Sequence, residues 1–236
     1  IFAGAFQNSG QVCIAIKRAY VHESIYDAMC DELAKLADAA VLGDGLQQGV
    51  TLGPLQNKTQ FEKVLGLIED AKTQGKVIAG GGRADGKGYF IRPTIVRDIT
   101  DGARLVDEEQ FGPVLPVIKI KDGEDALARA NSSDYGLGGS IWSKDLDKAL
   151  DLAGRMDGYG VDQQACRTRP KHPLRRRQAV GRRDGAGRGR PLGVHPAPCD
   201  QHGAGLIQIM AALRRRLHPP SVDRRGLCLN RTSLGS

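Results

Sequence analysis

An alternation of apolar runs with amphipathic helical segments fills the first two thirds of this chain and then stops. The first helical segment has apolar residues at helical spacing, namely Ile25, Met29, Leu33 and Leu36. The run VLPVIKI at 114–120 is almost continuously apolar, which is typical of a buried strand. Strands that alternate with amphipathic helices favour an α/β layered fold with a largely parallel sheet. After Met156 the periodicity ends.

The spacing predicts individual elements over residues 19–156. The predicted helices run from Glu23 to about Val41, from about Asn57 to Gly75, over 122–130 and over 144–156. The predicted strands are AYVH at 19–22, KVIAGG at 76–81, GYFIRPTIV at 88–96, VLPVIKI at 114–120 and GGSIWS at 138–143. Too few strands precede residue 19 for a complete domain of this class, so the sheet is expected to be incomplete.

The net charge of the chain changes from negative to positive at the point where the apolar periodicity ends. Residues 1–157 have a net charge of −5, whereas residues 158–236 have 15 Arg and one Lys against four Asp, a net charge of +12. Residues 167–190 have almost no large apolar side chain, so their burial cannot offset the entropy lost on folding. We expect a folded part over 1–157 and an Arg/Gly/Pro-rich, disordered basic tail over 158–236.

Cysteine usage and hydropathy indicate a cytoplasmic protein. The five Cys are odd in number and irregularly spaced, which favours free thiols in a reducing compartment over a disulfide framework. No apolar run approaches the roughly 18 residues of a membrane span, and IFAGAFQNSGQ lacks a signal-peptide pattern. The Cys and His residues of the tail fit no metal-ligand spacing, so no metal site is expected.

The segment FQNSGQVC at 6–13 is the sharpest local feature. A cysteine just after a glycine-containing turn can be exposed, and its thiolate is then a nucleophile. The alternative is that Cys13 is a small buried hydrophobic residue, which is the commoner fate of a lone cysteine.

Further motifs follow FQNSGQVC in a fixed order: GPLQNKTQFEKV at 53–64, GYFIRPTIV at 88–96, EEQFGPVLPV at 108–117 and ANSSDYGLGGSIWS at 130–143. Together the five motifs resemble the aldehyde dehydrogenase superfamily, over residues 1 to about 156. The resemblance implies a layered fold like the catalytic domain of that family. It also implies NAD or NADP as cofactor, a small aldehyde as substrate, and membership of a family that is commonly homo-oligomeric.

The resemblance also assigns roles to five residues. Cys13 matches the nucleophile that attacks the aldehyde to give a thiohemiacetal and then a thioester, and its backbone N–H matches an oxyanion donor. Glu109 matches the carboxylate that binds the nicotinamide ribose, and Phe111 matches the aromatic residue beside it. Gln60 and Lys63 match positions that reach the ribose region of the cofactor. From the residues alone, Glu109 fits a solvated acidic pair, Phe111 fits core packing and Lys63 fits a surface lysine.

Several parts of the family's machinery fall N-terminal to the match of residue 1. They are the general-base Glu, the Asn that completes the oxyanion hole, and the nucleotide-binding domain. We therefore expect a fragment that is inactive alone.

The tail has the signs of a shifted reading frame. Read one base later, the codons of residues 158–165 allow Gly-Thr-Val-Trp-Ile-Asn, and those of residues 170–181 allow the family motif PFGGxKxSG. Those of residues 192–202 allow a sequence similar to the family's last strand. Three motifs in the family's order from one offset indicate that residues 158–236 are a frameshifted translation.

The basic tail also supports an alternative of another class, a basic nucleic-acid-binding protein on a retired enzyme scaffold. A charge of +12 binds polyanions whatever its origin. However, no RRM, KH, zinc or helix-turn-helix pattern accompanies it, so specific nucleic-acid binding is not expected. Steeply salt-dependent DNA binding that is lost on truncation at residue 157 would distinguish this alternative.

Overall fold

The computed structural model describes residues 1–157 and the backbone of two short strands, at residues 161–163 and 208–212. The helices are α1 (Phe2–Phe6), α2 (Tyr26–Asp38), α3 (Lys58–Gln74), α4 (Arg104–Asp107), α5 (Gly123–Asn131) and α6 (Leu146–Gly154). Two 3-10 turns, Gln7–Gly10 and Glu23–Ile25, precede β1 and α2 respectively. The strands are β1 (Arg18–His22), β2 (Lys76–Ala79), β3 (Thr94–Arg97), β4 (Val114–Ile120), β5 (Gly138–Trp142), β6 (Val161–Gln163) and β7 (Gln208–Ala212).

The described strands form one sheet in the order β2-β3-β4-β1-β7-β5-β6. Pairing is parallel between β3 and β4, between β4 and β1, and between β5 and β6. It is antiparallel where β2 meets β3 at the edge and where β7 meets β1 and β5. The expected α/β fold class is confirmed, and the parallel pairs of the first 157 residues lie at the centre of the sheet.

Helices cover both faces of the sheet, and each face has its own apolar core. One core packs α3, α5 and α6 against the sheet around Tyr20, Ile68, Leu105 and Ile118. The other packs α1 and α2 around Phe6, Leu33 and Leu115. Alternate residues of β1 and β4 enter different cores, because successive side chains of a strand point to opposite faces.

Most predicted elements are present, with different ends. The predicted strand at 114–120 has the observed bounds of β4, and α3 begins after its cap Asn57 and ends at Gly75 as predicted. The strand predicted over 88–96 forms only at Thr94–Arg97, directly after Pro93, because proline cannot donate to a ladder. Helices α1 and α4 were not predicted, since five and four residues are too few to show a helical period.

The strands β6 and β7 belong to the tail and lie in the sheet. The expectation that residues 158–236 do not fold natively stays a prediction. The offset-frame PFGGxKxSG segment, the Arg runs of the nucleic-acid alternative and the Cys and His residues at 166–228 lie outside the described residues. In the described part of the chain, no helix is long and apolar enough to cross a membrane.

Candidate active site

Cys13 follows a tight turn between α1 and β1. Asn8 and Ser9 have φ of 48° and 54°, and Gly10 has φ of 74°. Such left-handed backbone is costly for residues with a Cβ and readily adopted by glycine. The Cys13 side chain is exposed, which excludes the interpretation of this residue as a buried hydrophobe. Its backbone N–H donates to no other described residue, so a thiol and a free N–H donor lie side by side.

The turn is held by the loop that precedes α3. The Ser9 hydroxyl donates to the Gly53 carbonyl at 2.7 Å. The Gln11 side chain donates from Nε2 to the Pro54 carbonyl at 3.3 Å and accepts from the Gln56 N–H at 2.8 Å. Two of the motifs that are far apart in sequence therefore meet through side-chain to backbone hydrogen bonds.

The acidic pair after α4 divides into two different environments. Arg104 pairs with Glu108 at 2.7 Å, and its guanidinium lowers the pKa of that carboxyl below the usual range. Glu109 is half-buried, and its carboxylate makes no hydrogen bond or ion pair with another described residue. Of the two acids, Glu109 is the one available to a ligand.

The loop that carries Glu109 and Phe111 lies against the turn of Cys13. Gln110 is fully buried and donates from Nε2 to the Lys17 carbonyl at 2.9 Å and to the Val114 carbonyl at 3.0 Å. A Cβ added to Gly10 would overlap the carbonyl oxygen of Gly112. The two backbones are therefore as close as glycine allows.

A lysine lies where these two segments meet. Lys17 is 1 % exposed, its Nζ donates to the Gly10 carbonyl at 2.6 Å, and the same ammonium lies 4.9 Å from the centroid of the Phe111 ring. Burial lowers the pKa of Lys17 to about 8, although the negative charges of Glu109 and Cys13 act to raise it.

Two side chains of α3 support the Glu109–Phe111 loop from the other side. Gln60 donates from Nε2 to the carbonyls of Gln110 and Phe111, at 2.7 and 3.1 Å. Lys63 donates from Nζ to the Glu109 carbonyl at 2.7 Å. The structure thus brings both predicted residues to the loop, where they bind its backbone.

Sequence reasoning missed Lys17 and Gln110. The signal for Lys17 was its place four positions after Cys13, in a stretch that is otherwise apolar. VCIAI precedes the pair KR, and AYV follows it. Gln110 gave no signal beyond its place between Glu109 and Phe111. Both residues act through contacts to segments about 90 positions away, which no local pattern reports.

The described residues also enclose a polar cavity of about 450 Å³, and none of the predicted site residues lines it. Its lining includes Arg18, Glu108, Arg129 and Tyr135. Among the described residues, no cluster of three or more His, Cys, Asp or Glu side chains could hold a metal ion.

Comparisons with known proteins identify one family over most of the chain. The model of the aldehyde dehydrogenase family matches residues 1–168. Aldehyde dehydrogenase 1A1 of Homo sapiens is 40% identical over 171 residues, which are 69% of this chain and 34% of that protein. A Mus musculus relative, "aldehyde dehydrogenase, cytosolic 1", is 42% identical over 64% of this chain and 30% of its own length. The chain spans about a third of the length of these curated relatives.

Solved structures agree with the sequence relatives. The NAD+ complex of an aldehyde dehydrogenase from Bacillus cereus superposes with a TM-score of 0.67 at 39% identity, over 69% of this chain and 33% of that one. An NADP-dependent enzyme of E. coli superposes with a TM-score of 0.66 at 33% identity, over 70% of this chain and 34% of that one. On its sequence and fold, this chain belongs to the aldehyde dehydrogenase family.

Proposed function

We propose that this chain supplies the nucleophile and the nicotinamide end of the cofactor site of an NAD(P)+-dependent aldehyde dehydrogenase. One observation carries the proposal: the turn of the exposed Cys13 lies against the loop of Glu109 and Phe111, at the close approach of Gly10 to Gly112. The exposed thiol of Cys13 and the carboxylate of Glu109 thus belong to adjoining segments, and this supports an oxidation at a cofactor.

The chemistry assigned to Cys13 is covalent catalysis. Its thiolate Sγ bonds to the carbonyl carbon of an aldehyde, and the carbonyl oxygen becomes the oxyanion of a thiohemiacetal. The unpaired N–H of Cys13 donates to that oxyanion. Loss of a hydride from the carbon leaves a thioester, and water then cleaves the C–S bond to give a carboxylic acid and the thiol of Cys13. When bound, NAD(P)+ supplies the hydride acceptor.

The residues of the loop fit a nicotinamide nucleoside. The Glu109 carboxylate makes no hydrogen bond or ion pair with another described residue, and two carboxylate oxygens match the vicinal hydroxyls of a ribose. Phe111 offers a flat apolar ring beside it. We assign cofactor contact to both, and we assign Gln60 and Lys63 to the same cofactor region, where their bonds to the loop carbonyls fix the loop's position.

We further propose that the 236-residue chain does not turn over alone. It spans about a third of the length of its relatives, and no carboxylate of the described residues makes a hydrogen bond to Cys13 that could serve to activate water. The name of the mouse relative supports a cytoplasmic location. The substrate class is a small aldehyde.

Two assays test these proposals. The purified chain with NAD+ or NADP+ and an aldehyde series is expected to give no NAD(P)H absorbance above a Cys13→Ser control, and measurable turnover would contradict the proposed inactivity. In the second assay, residues 1–157 replace the matched third of the human relative. That chimera is expected to oxidise aldehydes, to lose at least about 1000-fold in kcat with Cys13→Ser, and to keep its rate with Cys30→Ser. Activity that survives Cys13→Ser would contradict the role of Cys13.

A further inference from the structure

The backbone of Phe111 is strained. Phe111 has φ of 45°, and among the described residues with a Cβ it shares a positive φ only with Asn8, Ser9 and Asp98. Asn and Asp enter this left-handed region comparatively easily, whereas a bulky aromatic residue does so at a cost in free energy. Such a conformation persists only where surrounding contacts hold it. Contacts around Phe111 must therefore offset that cost.

Two side chains of α3 hold the loop of Phe111 from one side. Gln60 donates from Nε2 to the carbonyls of Gln110 and Phe111, at 2.7 and 3.1 Å, and Lys63 donates from Nζ to the Glu109 carbonyl at 2.7 Å. Gln60 is half-buried and Lys63 is exposed. Hydrogen bonds that water reaches restrain a loop weakly, because water competes for the same donors and acceptors. A firmer restraint has to come from the interior of the protein.

The side chain of Gln110 supplies an interior restraint. It is 0 % exposed, and its Nε2 donates to the Lys17 carbonyl at 2.9 Å and to the Val114 carbonyl at 3.0 Å. Both amide hydrogens are thereby used, one on the segment that follows Cys13 and one on the first residue of β4. The Gln110 Oε1 is also buried and accepts no hydrogen bond from the described residues. A buried polar atom without a partner is costly, so what distinguishes Gln110 from an apolar side chain of similar size is its pair of donors.

Burial alternates along the loop, since Glu109 and Phe111 are half-buried on either side of the fully buried Gln110. We propose that Gln110 is a positioning residue for the cofactor end of the site: the two hydrogen bonds of its buried amide hold Phe111 in left-handed backbone and so fix where the Glu109 carboxylate and the Phe111 ring lie. The inference rests on the cofactor contacts proposed above for Glu109 and Phe111. It deepens that proposal by naming the side chain that arranges them.

NMR of the full 236-residue chain tests this without cofactor or aldehyde. The chain has five Phe, so labelling phenylalanine with 15N and 13C gives few amide signals, and the Phe111 signal is identified by its loss in Phe111→Leu. A positive φ brings the amide hydrogen close to the Hα of the same residue, so the nuclear Overhauser effect between the two is strong. Gln110→Met keeps the length of the side chain and removes both donors. In this variant the effect is expected to weaken severalfold at Phe111 and to stay unchanged at the other four Phe.

A matched control is Gln74→Met, which makes the same replacement at the exposed last residue of α3. It is expected to leave the Phe111 signal unchanged. Chymotryptic cleavage after Phe111 is expected to be about tenfold faster in Gln110→Met than in Gln74→Met, because the loss of buried hydrogen bonds makes local opening easier. An unchanged Overhauser effect at Phe111 in Gln110→Met would overturn the proposal. Equal changes at all five Phe would also overturn it, because the amide would then support the fold as a whole and not this loop.

The unmodified chain supplies a further measurement that needs no variant. With 15N-glutamine, exchange of the side-chain amide hydrogens in D2O is followed, and the Gln110 signals are identified by their Overhauser effects to Val114. Both Nε2 hydrogens of Gln110 are expected to exchange at least about 100-fold more slowly than those of the exposed Gln74. Exchange as fast as that of Gln74 would overturn the proposal even if Gln110→Met failed to fold. Neither measurement involves NAD(P)+ or an aldehyde, so failure here is distinct from failure of the proposed function.

Discussion

At the scale of single residues, the site depends on backbone that only glycine adopts without strain. Gly10 has φ of 74°, and a Cβ on it would overlap the Gly112 carbonyl. Gly10→Ala is therefore expected to lower the free energy of unfolding by at least about 2 kcal/mol, measured by urea titration. The control is Gly53→Ala, since nothing lies within 4 Å of its added Cβ. Equal free energies of unfolding for the two variants would show that the close approach of Gly10 to Gly112 does not require glycine at residue 10.

A second prediction at this scale concerns Lys17, whose replacement is expected to stabilise the protein. Burial lowers its pKa to about 8, below the roughly 10.4 of an unfolded lysine. Between these values the unfolded chain binds more protons, so the Lys17 contribution to stability rises with pH and is least favourable at neutral pH. Lys17→Met is expected to raise the free energy of unfolding at pH 7 by about 1–2 kcal/mol.

The pH dependence separates this explanation from simple repacking. In urea titrations at pH 7 and pH 9.5, the advantage of Lys17→Met is expected to shrink at the higher pH, because the native lysine is then neutral. Other titrating groups are common to both proteins and cancel in the difference. A Met variant that is less stable at pH 7 would show that the contacts of Lys17 outweigh the cost of its buried charge.

At the scale of elements, α3 holds the loop of Glu109 and Phe111 through its first turns. Asn57 caps this helix by accepting from the Gln60 N–H at 2.8 Å, and Gln60 then binds the loop. Asn57→Ala is expected to lower the free energy of unfolding, measured by thermal unfolding, by about 1 kcal/mol. It is also expected to speed chymotryptic cleavage after Phe111. The control is Asp122→Ala, which removes the cap of α5, an acceptor from the Asp125 N–H at 2.9 Å. Equal rates of cleavage after Phe111 in the two variants would show that the cap of α3 does not order the loop.

At the scale of the whole molecule, β7 is the strand that joins β1 to β5. Met210 pairs with Ala19 on one side and with Ser140 on the other. Met210→Pro removes a ladder donor from an interior strand, so it is expected to destabilise the chain by about 3 kcal/mol. The comparison is Ser221→Pro in the same tail. Identical urea titrations for Met210→Pro and the unmodified chain would support the expectation that the tail does not fold natively.

The sequence by itself predicted most of the elements and the residues with chemistry. Helical spacing located α2, α3, α5 and α6, and the apolar run at 114–120 located β4, because each signal is local. The resemblance to aldehyde dehydrogenases, carried by five motifs, is confirmed as membership of the family. The roles assigned to Cys13, Glu109 and Phe111 stay predictions.

Tertiary structure alone decided how those residues are arranged. Gly10 meets Gly112, Lys17 meets Phe111 and Lys63 meets Glu109 across 46 to 102 positions of sequence. These contacts follow from the packing of the turn, the loop and α3 on one sheet, which periodicity does not encode. Burial of the Lys17 ammonium is likewise a property of the packed interior, because desolvation exists only once segments distant in sequence enclose the charge.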